Sequence, residues 1–86
     1  MTDQEIRAAI LETAYKAARE HGILASLISV GELNKKWEEE KTKISFNADY
    51  LDGKGWVIWL DRKTWGGVMR ITCAGVEEYE RTHEDS

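Results

Sequence analysis

The stretch from residue 44 to residue 80 constrains the fold more than any other part of this sequence, because apolar runs and glycines alternate along it. Residues 56–60 (WVIWL) and 68–72 (VMRIT) are short apolar runs typical of β-strands. The loop between them ends in Gly66 and Gly67, which permit a tight turn. Apolar residues at helical spacing precede the first run, and a helix start follows the second. The stretch therefore predicts a helix, a β-hairpin and a second helix.

The length predicts one domain with a small core. The chain has 86 residues, and a chain of this size buries only about 60% of the surface of its unfolded form. Apolar residues make up 42% of the sequence and include four tryptophans, which argues against disorder. We expect a single domain over residues 1–86, with the core at about residues 3–81 and a frayed tail at 82–86.

The first half of the chain predicts two helices and the start of a third. Thr2 and Glu5 have the spacing of a capping box for a helix over residues 3–21, which Gly22 would end. Residues 23–28 form a short strand or an extended lead-in, and periodicity alone does not decide between them. A second helix should follow Ser29, with a turn at residues 41–43. The third helix should begin near Ile44 or Ser45 and end at residues 52–55.

The second half contains three residues whose burial can be predicted. Trp56, in the first hairpin strand, is expected in the core, whereas Trp65, at the hairpin tip, is the tryptophan expected at the surface. Cys73 is the only cysteine, and its place beside a strand end predicts a buried structural thiol. Thr72 is positioned to cap the last helix.

The charge is distributed unevenly. The formal net charge is −4, but the segment from residue 41 to residue 70 carries six bases and three acids. The acidity lies mainly after residue 70, so the middle of the chain permits a basic face. Neither a secretion signal nor an apolar run long enough to span a membrane is recognisable, and we expect a cytoplasmic location.

The chain resembles a small stand-alone winged helix-turn-helix domain of the kind common among bacterial and archaeal regulators. The resemblance covers about residues 6–81 and rests on apolar and glycine positions. They are the helix start at Ile44 and Ser45 ahead of Ala48, the Tyr50-Leu51 pair, the Gly55-Trp56-Val57 step, the tip glycines Gly66 and Gly67, and Arg70-Ile71-Thr72 followed by Gly75, Val76 and Tyr79. The resemblance implies an α+β fold with three helices, a β-hairpin wing and a C-terminal helix.

The same resemblance implies double-stranded DNA as the partner and a homodimer that reads a palindromic site. The third helix would enter the major groove, and the tip at residues 61–67 would contact the backbone. The implied contacts near bases are Ser45, Phe46, Asn47 and Asp49, those at the wing are Arg62, Lys63 and Trp65, and those near phosphates are Lys35, Lys36, Lys41 and Lys43. Asn47 is the one natural base-edge reader, through a bidentate contact to adenine. Against this, Asp49 and Asp52 would be repelled by phosphates.

Other readings of these residues remain open. The tip can be a solvated turn, and the third helix needs polar residues on its surface in any case. If several aromatic residues are exposed together, the domain is instead a protein–protein interaction module. The chain contains no catalytic constellation or phosphate-binding loop, so we do not expect an enzyme or a bound cofactor. His21, His83 and Cys73 do not have the spacing of metal ligands.

Overall fold

A computed structural model describes residues 1–83 of the chain. Its first helix, α1 (Asp3–His21), has the ends that the sequence predicts. The Thr2 hydroxyl accepts from the Glu5 N–H at 3.1 Å, and the Glu5 carboxylate accepts from the Thr2 N–H at 2.8 Å. At the other end Gly22 has a φ of 73°, a left-handed conformation that glycine adopts without steric cost. Local capping chemistry therefore fixes both ends of α1.

The connection between the second and third helices differs from the prediction. A two-residue strand, β1 (Ile28–Ser29), leads into α2 (Val30–Lys36), and α2 breaks at Trp37, where φ is −116° and ψ is 59°. A single 3-10 turn (Glu38–Glu40) follows, and α3 (Lys41–Gly53) starts at once. The predicted turn at residues 41–43 is wrong, because these residues form the first turn of α3. The Trp37 side chain packs against the core, so tertiary packing sets the break without a glycine or proline.

The hairpin has the predicted position. Strand β2 (Val57–Leu60) pairs with β3 (Val68–Ile71) in antiparallel register, with Trp59 opposite Met69. Strand β1 pairs with the other edge of β3, so the strand order is β1–β3–β2. Thr72 accepts from the Gly75 N–H at 3.0 Å and caps α4 (Cys73–Thr82) as predicted. The architecture is α+β, with four helices and one three-stranded sheet in the described residues.

The core lies between α1, α3 and the inner face of the sheet. Its largest fully buried apolar side chains are Ile6, Ile10, Val30, Ile44, Leu51, Val57, Met69 and Ile71. Trp56 is only partly buried and packs against this core. The prediction for Cys73 is wrong: its thiol is exposed because the residue opens α4 on the outer side.

Two further expectations concern membrane-spanning segments and the C-terminal tail. In the described part of the chain, none of the helices has the length and apolarity needed to cross a lipid bilayer. Of the tail predicted to fray, Thr82 belongs to α4 and its hydroxyl donates to the Tyr79 carbonyl at 3.0 Å. Residues 84–86 lie outside the described residues.

Candidate nucleic-acid interface

A surface groove lies where the hairpin tip (residues 61–67) meets α2 and the start of α3. It has a volume of about 370 Å³. Its lining residues are Gly31, Asn34, Lys35, Glu38, Lys41 and Trp65. The fold therefore brings two of the predicted phosphate contacts and one predicted wing residue together in one groove.

Trp65 forms one wall of this groove and is 63% exposed. Its indole lies so close over Gly31 that a Cβ atom there would be 2.5 Å from Cδ2 of the ring. Gly31 is in the first turn of α2, where glycine is a poor helix former, so its presence signals this close approach. Gly31 was not predicted as a site residue, although this signal is present in the sequence.

The backbone of the hairpin tip requires its two glycines. Gly66 and Gly67 have φ values of 80° and 83°. A Cβ atom on Gly67 would be 2.3 Å from the Leu60 carbonyl oxygen. The Gly66 carbonyl accepts a hydrogen bond from the indole N–H of Trp59 at 2.8 Å, which anchors the tip to β2. The course of the tip thus depends on both glycines and on this hydrogen bond to β2.

Arg62 connects the tip to α3, and its positive charge is already neutralised by two ion pairs. Its guanidinium donates to Asp49 at 2.7 Å and to Asp52 at 2.8 Å, and it lies 4.2 Å from the centre of the Trp59 ring. Asp52 also accepts from the Trp59 N–H at 3.2 Å. A predicted wing contact, Arg62, and a predicted base contact, Asp49, are therefore each other's partners.

Asn47 is not available to a base edge, which corrects the sequence-based prediction. The residue is fully buried. Its side-chain oxygen accepts from Arg7 Nε at 3.1 Å, and its amide nitrogen donates to Asp3 at 3.1 Å and to the Lys43 carbonyl at 2.8 Å. Asn47 shares the inward face of α3 with Ile44, Ala48 and Leu51, as its helical spacing could have indicated.

The outward face of α3 carries two aromatic side chains, Phe46 and Tyr50, among polar ones. Ser45 and Phe46 are exposed, and 58% of the Phe46 surface is open to solvent. Tyr50, one turn further on, was not predicted as a site residue; the Arg7 guanidinium lies 3.8 Å from its ring centre. The side chain that holds Asn47 thus also covers Tyr50.

The remaining lysines predicted to contact DNA differ in whether another group of the protein already binds their ammonium group. Lys43 donates to the Met1 carbonyl at 2.6 Å and lies 3.6 Å from the Glu40 carboxylate. Lys36 lies 5.6 Å from the centre of the Trp37 ring. Lys35, Lys41 and Lys63 are exposed, and within residues 1–83 none of them forms an ion pair. Of these three lysines, Lys35 and Lys41 line the groove and Lys63 lies at the hairpin tip.

Over residues 1–83, no group of three or more His, Cys, Asp or Glu side chains is arranged to hold a metal ion. Comparison of the chain with protein-family models, with curated proteins and with solved structures finds no match.

Proposed function

We propose that the chain is a winged helix-turn-helix protein that binds double-stranded DNA and acts as a transcription regulator. In this assignment α2 and α3 are the helix-turn-helix pair, and the hairpin tip is the wing. The order of elements and the strand order β1–β3–β2 support it, because they place a helix pair beside one hairpin. The observation that carries the proposal is the groove in which Lys35 and Lys41 flank Trp65 without forming ion pairs.

The phosphate contacts in this proposal come from lysines without an ion pair in the described residues. Lys35, Lys41 and Lys63 can each neutralise a phosphate, and such contacts dominate affinity for DNA. The first turn of α3 contains no acid, and no side chain caps it. Glu40 is its N-cap residue, however, and Glu38 and Glu39 precede it, so the lysines rather than this helix end are assigned to phosphates.

The base contacts fall to two exposed residues on α3. The Ser45 hydroxyl can bond to donors or acceptors in the major groove, and Phe46 suits the methyl group of thymine. Neither makes the bidentate contact that discriminates strongly between bases. We therefore expect binding that depends steeply on salt and only modestly on sequence.

The test is binding to labelled mixed-sequence duplex DNA over a salt series. The double variant Lys35→Ala/Lys41→Ala should reduce the slope of log K against log salt by about 2, since each lost phosphate contact removes about one. The matched control is Lys16→Ala/Arg81→Ala, which removes the same charge from α1 and α4 and should keep the wild-type slope. Equal effects of the two variants would show that binding follows net charge alone and contradict the proposal.

The outward face of α3 favours a second candidate, a module that binds another protein. Exposed aromatic side chains mark interfaces, and the Phe46 ring is open to solvent. Arg62 neutralises two acids of the same helix, Asp49 and Asp52, through ion pairs. If no duplex DNA binds even at low salt, a pull-down from the native lysate with the wild-type chain should recover a specific protein. The variant Phe46→Glu should release that protein, whereas Ser45→Glu, at the neighbouring position, should weaken the binding less.

A further inference from the structure

A second, separate groove lies between the end of α1 and α4. Tyr15 and Tyr79 stack there at 4.2 Å between ring centres, and the Tyr15 hydroxyl donates to Glu80 at 3.0 Å. The groove has a volume of about 220 Å³. Its lining residues are Tyr15, Ala18, Arg19, Gly22, Ile23, Leu24, Val76 and Glu80. None of them belongs to the candidate nucleic-acid interface.

Two of the residues that line this groove are large apolar side chains exposed to solvent. Ile23 is 58% exposed and Leu24 is 39% exposed, although both are large aliphatic residues in the loop that follows α1. Leu27, three residues further along the loop, is exposed as well. The wall of the groove thus contains exposed aliphatic side chains that can pack against another apolar surface.

Two charged residues on the face around this groove, one cation and one anion, form no ion pair within the described residues. Arg19 and Glu80 both line the groove, yet neither forms an ion pair with any residue in the described part of the chain. The Glu80 carboxylate is held in place by the Tyr15 hydroxyl. One face therefore presents a cation and an anion that are both available to a partner.

We propose that two copies of this chain associate through this face about a two-fold axis. A two-fold interface uses the same patch on both subunits, so the patch must be complementary to itself. This face meets that requirement twice: Ile23 of each copy fits the groove of the other, and Arg19 of each copy pairs with Glu80 of the other. The groove is also smaller than the roughly 300–1,000 Å³ of sites for small molecules, which disfavours a ligand as its occupant.

The size of the face sets the expected strength of association. A stable interface covers about 800 Å² on each partner, which is about one-seventh of the 5487 Å² surface of this chain. A groove with two or three apolar anchors lies at the weak end of that range, so we expect a dissociation constant on the order of micromolar. The proposal does not depend on DNA binding, and its test contains no DNA.

The test is sedimentation equilibrium of the purified chain at protein concentrations from about 1 to 500 μM, which bracket this dissociation constant. The wild type should change reversibly from monomer to dimer. Ile23→Glu should weaken the dimer at least tenfold. The control Leu60→Glu makes the same kind of change at an exposed residue that ends β2 and does not line this groove, and it should leave the association unchanged.

A charge exchange tests the geometry of the interface without relying on any single variant. Arg19→Glu and Glu80→Arg should each favour the monomer, because each places like charges opposite one another. An equimolar mixture of the two variants should dimerise again, since both cross-subunit pairs are then restored in the heterodimer. A wild type that stays monomeric throughout would overturn the proposal. So would a Leu60→Glu effect equal to that of Ile23→Glu, or a mixture that stays monomeric.

Discussion

The guanidinium of Arg7 in α1 donates a hydrogen bond from Nε to the side-chain oxygen of Asn47 in α3, at 3.1 Å. The same guanidinium stacks on Tyr50, and the Asn47 amide donates to Asp3 at 3.1 Å. One buried amide thus joins the two helices that enclose the core. This relationship removes Asn47 from the surface that could contact DNA and gives it a structural role.

We expect Asn47→Ala to lower the free energy of unfolding by about 1–3 kcal/mol, because buried hydrogen-bonding groups lose their partner. Urea denaturation measures this change. The control Ser45→Ala alters an exposed residue of the same helix and should stay within about 0.5 kcal/mol of the wild type. An Asn47→Ala variant that keeps full stability but binds DNA with an altered base preference would instead support the sequence-based prediction that Asn47 contacts a base.

Gly75 is expected to tolerate no side chain. A Cβ atom there would be 2.0 Å from the Trp56 carbonyl oxygen and 2.7 Å from Cγ1 of Ile71, so α4 would have to move away from the hairpin. Gly75→Ala should therefore destabilise the chain by about 1–3 kcal/mol, as overpacking of a core does.

Gly53→Ala provides the matched control for Gly75→Ala. Gly53 is the last residue of α3, and no atom lies within 4 Å of an added Cβ. Alanine has the higher helix propensity, so this variant should be neutral or more stable by up to about 1 kcal/mol. Thermal unfolding distinguishes the two variants, and equal melting temperatures would contradict the packing of α4 described here.

Arg62 is expected to support the wing rather than bind phosphate. Its two ion pairs are partly exposed, so Arg62→Ala should cost only about 0.5–1 kcal/mol of stability. In the proposed complex, Lys63→Ala should reduce the salt slope of DNA binding by about 1, whereas Arg62→Ala should reduce it by less. Titrations of both variants against the same duplex measure the difference, and a larger slope change for Arg62→Ala would assign the phosphate contact to Arg62.

Local chemistry made several parts of the fold predictable from the sequence. Thr2, Gly22 and Thr72 act on groups within a few residues, and the hairpin follows from strand runs separated by Gly66 and Gly67. The α2–α3 boundary was not predictable in this way, because the break at Trp37 depends on packing against the core. Residues 41–43 have the polar composition of a turn, yet they are the start of α3.

The candidate site was less predictable than the fold, because its side chains are defined by distant partners. Arg62 pairs with carboxylates 10 and 13 residues earlier in the chain, and Asn47 bonds to residues more than 39 positions away. Residue type alone assigns both to a DNA surface. Only the juxtaposition of α1, α3 and the hairpin tip shows that these polar groups are already satisfied within the protein.

The exposed thiol of Cys73 should react in the folded state. Because the residue opens α4 on the outer side, a thiol reagent reaches it without unfolding. We expect the single cysteine to be modified completely in native buffer, at a rate that 6 M urea raises only slightly. A Cys73 thiol that is protected from the reagent until the whole chain unfolds would instead support the buried position that the sequence predicts. Cys73→Ser should be neutral to within about 0.5 kcal/mol, as a surface substitution is.

Acid should weaken the end of the molecule where the N-terminus meets α3. The ammonium group of Met1 donates to Glu40 at 3.0 Å and lowers the pKa of that carboxyl below its usual value. The backbone N–H and hydroxyl of Thr2 likewise lower the pKa of Glu5. A carboxyl whose pKa is lower in the folded state stabilises the fold above its unfolded pKa, and this stabilisation is lost as the pH falls through the folded pKa.

The urea midpoint should therefore decrease as the pH falls below about 4.3, the usual pKa of a glutamate. Glu40→Gln should lower the midpoint at neutral pH and make its dependence on acid shallower, because the variant has already lost the pair with Met1. The matched variant Glu20→Gln removes an exposed carboxyl for which no hydrogen bond or ion pair is present in residues 1–83, and it should preserve the wild-type curve. A Glu40→Gln curve that runs parallel to the wild type down to low pH would show that the bond between Met1 and Glu40 does not contribute to stability in solution.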